Sequence, residues 1–352
     1  MQDEIKKILE IACNAPSGDN HQPWRFEVKS NTIDIHNLPE RDPIVYNYRQ
    51  QGSIIAHGCL IETLSIAASH FGYSAEVLSF PDTTRPDFTA RVTLEKSTVE
   101  ESALFKSITT RATNRNLYKD RSLTGIERDA LIKALQDLPE VRLVLQENLP
   151  VKRAIGGLVS INEQILLEAP ILHHTFFKHI LWTEQEEKKN KQGLYFKTLG
   201  LKGPQIIAFK LFRFWPVLKL LNKVGISKFV ASENAKVWGS GSAHGALVVD
   251  NNDPATLLHA GRAMQRIWLT VTDLGLHMQP LAGILFLARR LQAGETSGFS
   301  QEQQRLILET FAKLKQEFGI TQGIPAMFFR VGDGGEPAAR SSRLAPQIRF
   351  AN

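Results

Sequence analysis

The reading of this chain turns on Ala15-Pro16-Ser17-Gly18-Asp19-Asn20-His21-Gln22-Pro23-Trp24. Ahead of it, Ile5, Ile8, Leu9 and Ala12 recur at helical spacing, and behind it Arg25-Phe26-Glu27-Val28 alternates as a strand does. Between helix and strand lie Pro, Ser, Gly, Asp and Asn, which turn the backbone and leave hydroxyl, amide and N–H groups pointing outward. Such a loop either joins two elements or holds a ligand rich in acceptors, and its local chemistry alone leaves both open.

Working outward, two long apolar stretches share one punctuation. Gly58 to Gly72 and Gly261 to Gly275 each place glycines 14 residues apart, with apolar residues between them at helical spacing. Gly72 and Gly275 suit left-handed helix-terminating positions. Gly58 and Gly261, expected one turn into their helices, cost about 1 kcal/mol relative to alanine, which close helix–helix approach would justify. A β-rich run follows each, Phe88–Leu94 and Ala326–Val331. Upstream, Glu4–Leu9 corresponds to Asp129–Leu135 and Arg25–Val28 to Val141–Leu145. The second copy runs through Gln136–Glu140 almost directly into its strand, so the opening loop is missing there. It is preceded instead by Thr110-Arg111-Ala112-Thr113-Asn114-Arg115-Asn116-Leu117-Tyr118, which has no counterpart ahead of residue 4. The expectation is an α+β chain of two fused half-repeats, 1–105 and 106–352. The two glycine-punctuated helices would pack across a pseudo-twofold axis, each half carrying a mainly antiparallel sheet.

Helix, then A-P-S-x-x-N-x-Q-P-W, then strand resembles the flavin-binding loop of the nitroreductase superfamily. Those proteins are FMN-dependent oxidoreductases that work as intertwined homodimers with the flavin at the subunit interface. The resemblance implies that Pro16, Ser17 and Asn20 hold the flavin from the first half. Arg111-x-Thr113-x-Arg115 resembles the family's R-R-S-x-R-x-F opening, which implies Arg111 and Thr113 on the phosphate side. Arg115 would lie by N1 and O2, where a cation stabilises the anionic reduced ring. Gln279-Pro280-Leu281-Ala282-Gly283-Ile284 resembles the Pro-x-Glu-Gly-x turn whose backbone N–H faces flavin N5, implicating Pro280 and Gly283. Ala282 stands where the family has an acidic residue, a departure that bears on reductant and substrate preference. Arg340-Ser341-Ser342-Arg343 resembles the closing K-x-R-x-P phosphate clamp, with Arg343 at the family arginine and Arg340 supplying the charge that Ser341 lacks.

One loop and one Arg-Thr-Arg segment imply one complete FMN site in a fused pseudo-dimer, as in the double-length branch of the superfamily. The implied function is an FMN-dependent oxidoreductase that takes hydride from NAD(P)H and passes electrons to a small aromatic, quinone or nitro acceptor. The alternative is a flavin-binding or sequestering protein with a lid over FMN and little or no turnover. No general acid–base residue is expected, because the cofactor carries the chemistry.

At 352 residues and 43% hydrophobic, the chain can bury a large core. Cys13 and Cys59 sit in apolar helical patterns and read as small core residues of a reducing compartment. The polar N-terminus and the lack of an apolar stretch of the ~20 residues a membrane span needs make the cytoplasm the expected location. The net charge of +6 is local, since Lys197 to Lys236 holds eight Lys or Arg against one acidic residue. That describes one basic segment on a near-neutral body, with no nucleic-acid partner expected. The segment is rich in Phe, Trp, Leu and Ile and has no counterpart in the first half, giving an expected insertion at about residues 185–240. It reads as a lid or dimer arm over the flavin pocket, making the chain a pseudo-dimeric monomer or a homodimer through the insertion. Contact with an anionic membrane surface and a plain structural insertion are the alternatives. His173, His174 and His179 lack zinc-hydrolase spacing and read as packing or surface residues, so no metal is expected.

Overall fold

The computed structural model of the chain describes residues 1–98 and 100–351. The first half opens with helix α1 (Gln2–Ala12), whose Ile5, Ile8, Leu9 and Ala12 are buried as their spacing predicts. Strand β1 (Trp24–Lys29) buries Trp24, Phe26 and Val28 and turns Arg25, Glu27 and Lys29 outward. Strand β2 (Thr32–Asn37), helix α2 (Gln51–His70), and strands β3 (Tyr73–Ser79) and β4 (Phe88–Lys96) complete the half.

A short helix, α3 (Ser107–Thr110), leads into Arg111. The second half then begins with α4 (Gly125–Lys133), started by a reciprocal cap between Thr124 and Glu127. Strand β5 (Arg142–Gln146) follows. The segment after it folds as α5 (Leu149–Glu168), α6 (Pro170–Lys178), β6 (Ile180–Leu181), α7 (Glu184–Asn190), β7 (Leu194–Tyr195), α8 (Pro204–Phe212), α9 (Trp215–Asn222) and α10 (Ile226–Trp238). The half resumes with β8 (Ala243–Val249), α11 (Pro254–Asp273), β9 (His277–Pro280), α12 (Gly283–Gln292), α13 (Gln301–Glu317) and β10 (Ile324–Gly332). Strand β11 (Ile348–Phe350) is the last element among the described residues.

The halves share a topology. The sheet orders are β1-β2-β4-β3 and β5-β8-β10-β9, antiparallel throughout. In the first half β1 and β2 join through a tight turn at Ser30-Asn31, whereas in the second residues 147–242 lie between β5 and β8. The insertion therefore starts well before the expected residue 185. Helix α5 hid that boundary, because its apolar pattern looks like ordinary core. A second asymmetry is β11, which runs parallel beside β1, Phe26 opposite Ile348, and carries the C-terminus onto the first half's sheet.

Helices α2 and α11 cross where their glycines meet. A Cβ on Gly58 would sit 2.0 Å from the Leu258 carbonyl oxygen, and one on Gly261 2.1 Å from that of Ile55. The contact is reciprocal, as a twofold axis requires. Both glycines are two turns into their helices and not one, because α2 and α11 begin earlier than the punctuation implies. Beside them the buried Glu62 carboxylate accepts hydrogen bonds from Arg262 (3.0 Å) and Arg266 (2.7 Å) across the axis. Contrary to expectation, Tyr48–His70 is long and apolar enough by length and composition to span a bilayer, and most of it is buried in the protein's core. Cys13 and Cys59 are free and buried, and burial pushes both thiols up to about 12.

Candidate functional site

The loop after α1 is held in a conformation that side chains resist. Asp19, Asn20 and Gln22 have φ of 43°, 61° and 50°, in the left-handed region. Asn tolerates this and Asp partly, but Gln has no local reason to adopt it. Such outliers persist only where surroundings over-determine them, and here the surroundings come from the second half. The Asn20 amide donates to the backbone oxygens of Lys191 and Ser342, each at 3.1 Å. The Gln22 amide donates to the Lys191 oxygen at 2.7 Å, and its Oε1 accepts from the Leu344 N–H at 2.8 Å. Ser17 Oγ accepts from the Gln22 N–H at 2.9 Å, closing the loop on itself. Pro16 lies within the same turn.

Three arginines from the second half gather at the end of α1. Arg111 is buried, donates to the Asn14 backbone oxygen at 3.0 Å and lies 4.5 Å from the Trp268 ring centroid. Burial, then the nearby charges of Arg343 and Arg340, bring its guanidinium down to about 9. Arg343 is brought down to about 10 by burial, and its hydrogen bonds go to the Ser341 and Ser342 carbonyls. Arg340, exposed, donates to the backbone oxygens of Thr109 and Thr110. Among the described residues none of the three has a carboxylate in ion-pair range, and Nε of Arg111 and of Arg343 is buried without a partner. A buried and a half-buried cation that repel one another and keep free donors fit a dianionic phosphate, which would satisfy both deficits.

From there a polar band runs toward the β9–α12 turn. Thr113 bridges to Met278 of β9, so the Arg-Thr-Arg segment lies along the strand that ends at Pro280. Arg115 donates to the Thr198 backbone oxygen at 3.0 Å. Burial lowers its pKa, while the charge of Asp19 opposes that shift. Burial raises the Asp19 carboxyl in turn. Gly283 is the first residue of α12, and a Cβ there would come within 2.1 Å of Asn162 Oδ1 on α5. That same oxygen accepts from the Tyr46 hydroxyl at 3.2 Å.

Of the ten expected residues, Arg111, Arg340 and Arg343 lie near one another, Asn20 bonds the Ser342 backbone oxygen beside Arg343, and Thr113 bridges to Met278, two residues before Pro280. The insertion packs against this band with residues inside the expected 185–240 and also with α6, which precedes them. Loop 190–193, α6 and Thr198 touch the band: Gln192 donates to the His21 oxygen at 2.9 Å and His179 meets the His21 ring edge-on at 5.0 Å. A cavity of about 10 Å³, roughly one water, lies between Asp19, Tyr46 and the α6 residues Leu172, Thr175 and Phe176. In helices α8 to α10, Ile207, Leu211, Val217, Leu220 and Phe229 stand exposed, while the other large apolar side chains are buried or half-buried, most of them in a core of the insertion's own.

Four contributors had no local signal in the sequence. Tyr46 and Asn162 meet across 116 residues. Glu163, beside Asn162, accepts from Trp238 Nε1 at 3.1 Å, and burial pushes its carboxyl up to about 8, so it holds a proton at neutral pH. Arg330 is fully buried on β10, and through Gln279, Asn116 and the face of Tyr118 it fixes the Arg-Thr-Arg segment against β9. Gln22 stands inside the quoted loop, where only its long-range bonds single it out.

No family model matches the chain. An uncharacterised protein of Mycobacterium tuberculosis, MT1398, is 23% identical over 346 residues, 96% of this chain and 46% of that protein. From the same species, the protein named "Putative NAD(P)H nitroreductase acg" is 29% identical over 86 residues, 24% of this chain and 25% of that protein. The chain is similar in sequence to proteins named as nitroreductases. It spans about half the length, or less, of the curated relatives it matches. Among solved structures, the FMN-dependent nitroreductase NfnB from Mycobacterium smegmatis in complex with NADPH is 13% identical with a TM-score of 0.39, covering 68% of this chain and 92% of that one.

Proposed function

We propose that this chain is an FMN-dependent oxidoreductase of the nitroreductase superfamily, taking hydride from NAD(P)H and reducing a small aromatic, quinone or nitro acceptor in the cytoplasm. One observation carries the reading: the buried Arg111 and the half-buried Arg343, neither with a carboxylate partner, come together at the end of α1, where the strained loop of the opposite half begins. The same reading divides the chain into halves 1–105 and 106–352. Arg111, Thr113, Arg340 and Arg343 hold the phosphate; Pro16, Ser17 and Asn20 line the ribityl and pyrimidine side. Arg115 keeps a cation at the pyrimidine edge, and the Pro280–Gly283 turn offers its backbone to N5. When bound, FMN supplies the two-electron chemistry. The chain contributes position and field, and Glu163 holds a proton near the Gly283 end of the band.

A second reading, a flavin-holding protein with little turnover, has its own support. Residues of the insertion lie directly against the loop, the Gln192 amide donating to the His21 oxygen and the Asn20 and Gln22 amides to the Lys191 oxygen, an arrangement that would restrict access of nicotinamide and acceptor to a bound flavin. Steady-state oxidation of NAD(P)H by FMN-loaded protein separates the two. Turnover with an added quinone supports the enzyme; tight flavin retention with no oxidation supports the holding protein. Failure to bind FMN would overturn both.

A further inference from the structure

The insertion carries a face that the flavin site does not use. Among the described residues, seven of the fourteen large apolar side chains that stand exposed lie between Ile207 and Phe229. Ile207 and Leu211, four apart on α8, are 66% and 48% exposed; Leu220 on α9 and Val224 just beyond it are 65% and 82% exposed. Scattered singly such residues mean nothing, but a concentration this dense marks an interaction surface. Between them stand Lys210, Arg213, Lys219, Lys223 and Lys228, with Lys202 just ahead, all exposed and with no carboxylate in ion-pair range of any among the described residues.

The face is rigidly mounted. Phe212 and Leu218 are buried, with Phe209 and Trp215 packed around them, and the His173 ring on α6 bonds the Phe212 backbone oxygen at 2.7 Å. The exposed side chains are therefore the outer side of a packed unit. Charge selects the occupant. A second copy would bring an equally basic face against this one. Five of the seven exposed side chains are Ile, Leu or Val, which offer a nucleic acid no stacking surface, and only Phe214 and Phe229 are aromatic. Short amphipathic helices with lysines around aliphatic tips suit the headgroup–acyl boundary of an anionic bilayer. We infer that α8, α9 and α10 dock the protein on an anionic lipid surface. The aliphatic tips enter the acyl boundary, and the lysines and Arg213 meet the headgroup phosphates.

The test is flotation of the full chain with vesicles of phosphatidylcholine alone or of phosphatidylcholine mixed with phosphatidylglycerol. The protein should float only with the anionic vesicles, and high salt should release it. A basic residue at such a surface is worth about fivefold in partitioning, so K210Q/K219Q/K223Q should lose about 100-fold. L220S/V224S should also weaken binding, with circular dichroism unchanged in both variants. Equal flotation with neutral vesicles, flotation with neither, or variants that bind like the parent would each overturn the inference. So would a dimer in sedimentation equilibrium that L220S/V224S dissociates, with no vesicle binding, since a second copy would then occupy the face. None of these readouts depends on flavin.

Discussion

Arg111 is a cation with no anion of its own, and that is the clearest residue-scale statement the fold makes. Its partners are one carbonyl and one indole face, while Arg343 and Arg340 lower its affinity for a proton. Arg111→Ala should therefore weaken FMN binding by about 1.5–3 kcal/mol, the worth of a hydrogen bond to a charged group, and leave riboflavin binding unchanged. Fluorescence titration with both flavins measures this; equal loss for the two would remove Arg111 from the phosphate. His21 supplies a pH prediction. Burial opposes its protonation, but the hydrogen bond and charge of Asp42, 2.8 Å away, with the charge of Asp19, outweigh burial and raise its pKa. A raised histidine contributes stability that is complete below the ordinary value of 6.5 and is lost as pH rises through the folded value. Thermal unfolding across that window should show the decline, and His21→Gln should flatten it. The arginines were legible because they occur in short motifs. Tyr46, Asn162 and Glu163 were not, because each owes its role to packing from a distant part of the chain.

At the scale of elements, glycine placement was the most readable feature and the most easily tested. Gly58 and Gly261 let α2 and α11 approach backbone to backbone. Gly58→Ala should destabilise by about 1–3 kcal/mol through overpacking, outweighing alanine's better helix propensity. Gly157, on α5 with open space around its missing side chain, makes the control. Gly157→Ala should stabilise by about 0.5–1 kcal/mol. Denaturant unfolding of the two variants tests the pair; loss of stability in neither would deny the close crossing. The insertion was legible in charge but not in extent. Its basic part stood out against a neutral body, whereas α5 and α6 are apolar and carry no signal separating them from core. The expected insertion at 185–240 already held loop 190–193 and Thr198, whereas α6, which also packs near the loop after α1, lies ahead of it.

The whole molecule is two copies of one topology made unequal. Both sheets share strand order and the central helices meet reciprocally, and this much was readable as an internal repeat. The asymmetries are the added insertion, the missing loop before β5, and a C-terminal arm that crosses once. Among the described residues, β11 pairs with the first half's sheet, and the first half's loop meets Ser342 and Leu344. On the proposed reading, this chain holds the parts of one FMN site. The most direct measurement is the amount of FMN released from flavin-saturated, gel-filtered protein per mole of chain. The account predicts one. A ratio near two would mean that the second half keeps a working site, and a ratio near zero would mean that the arginine cluster does not serve FMN.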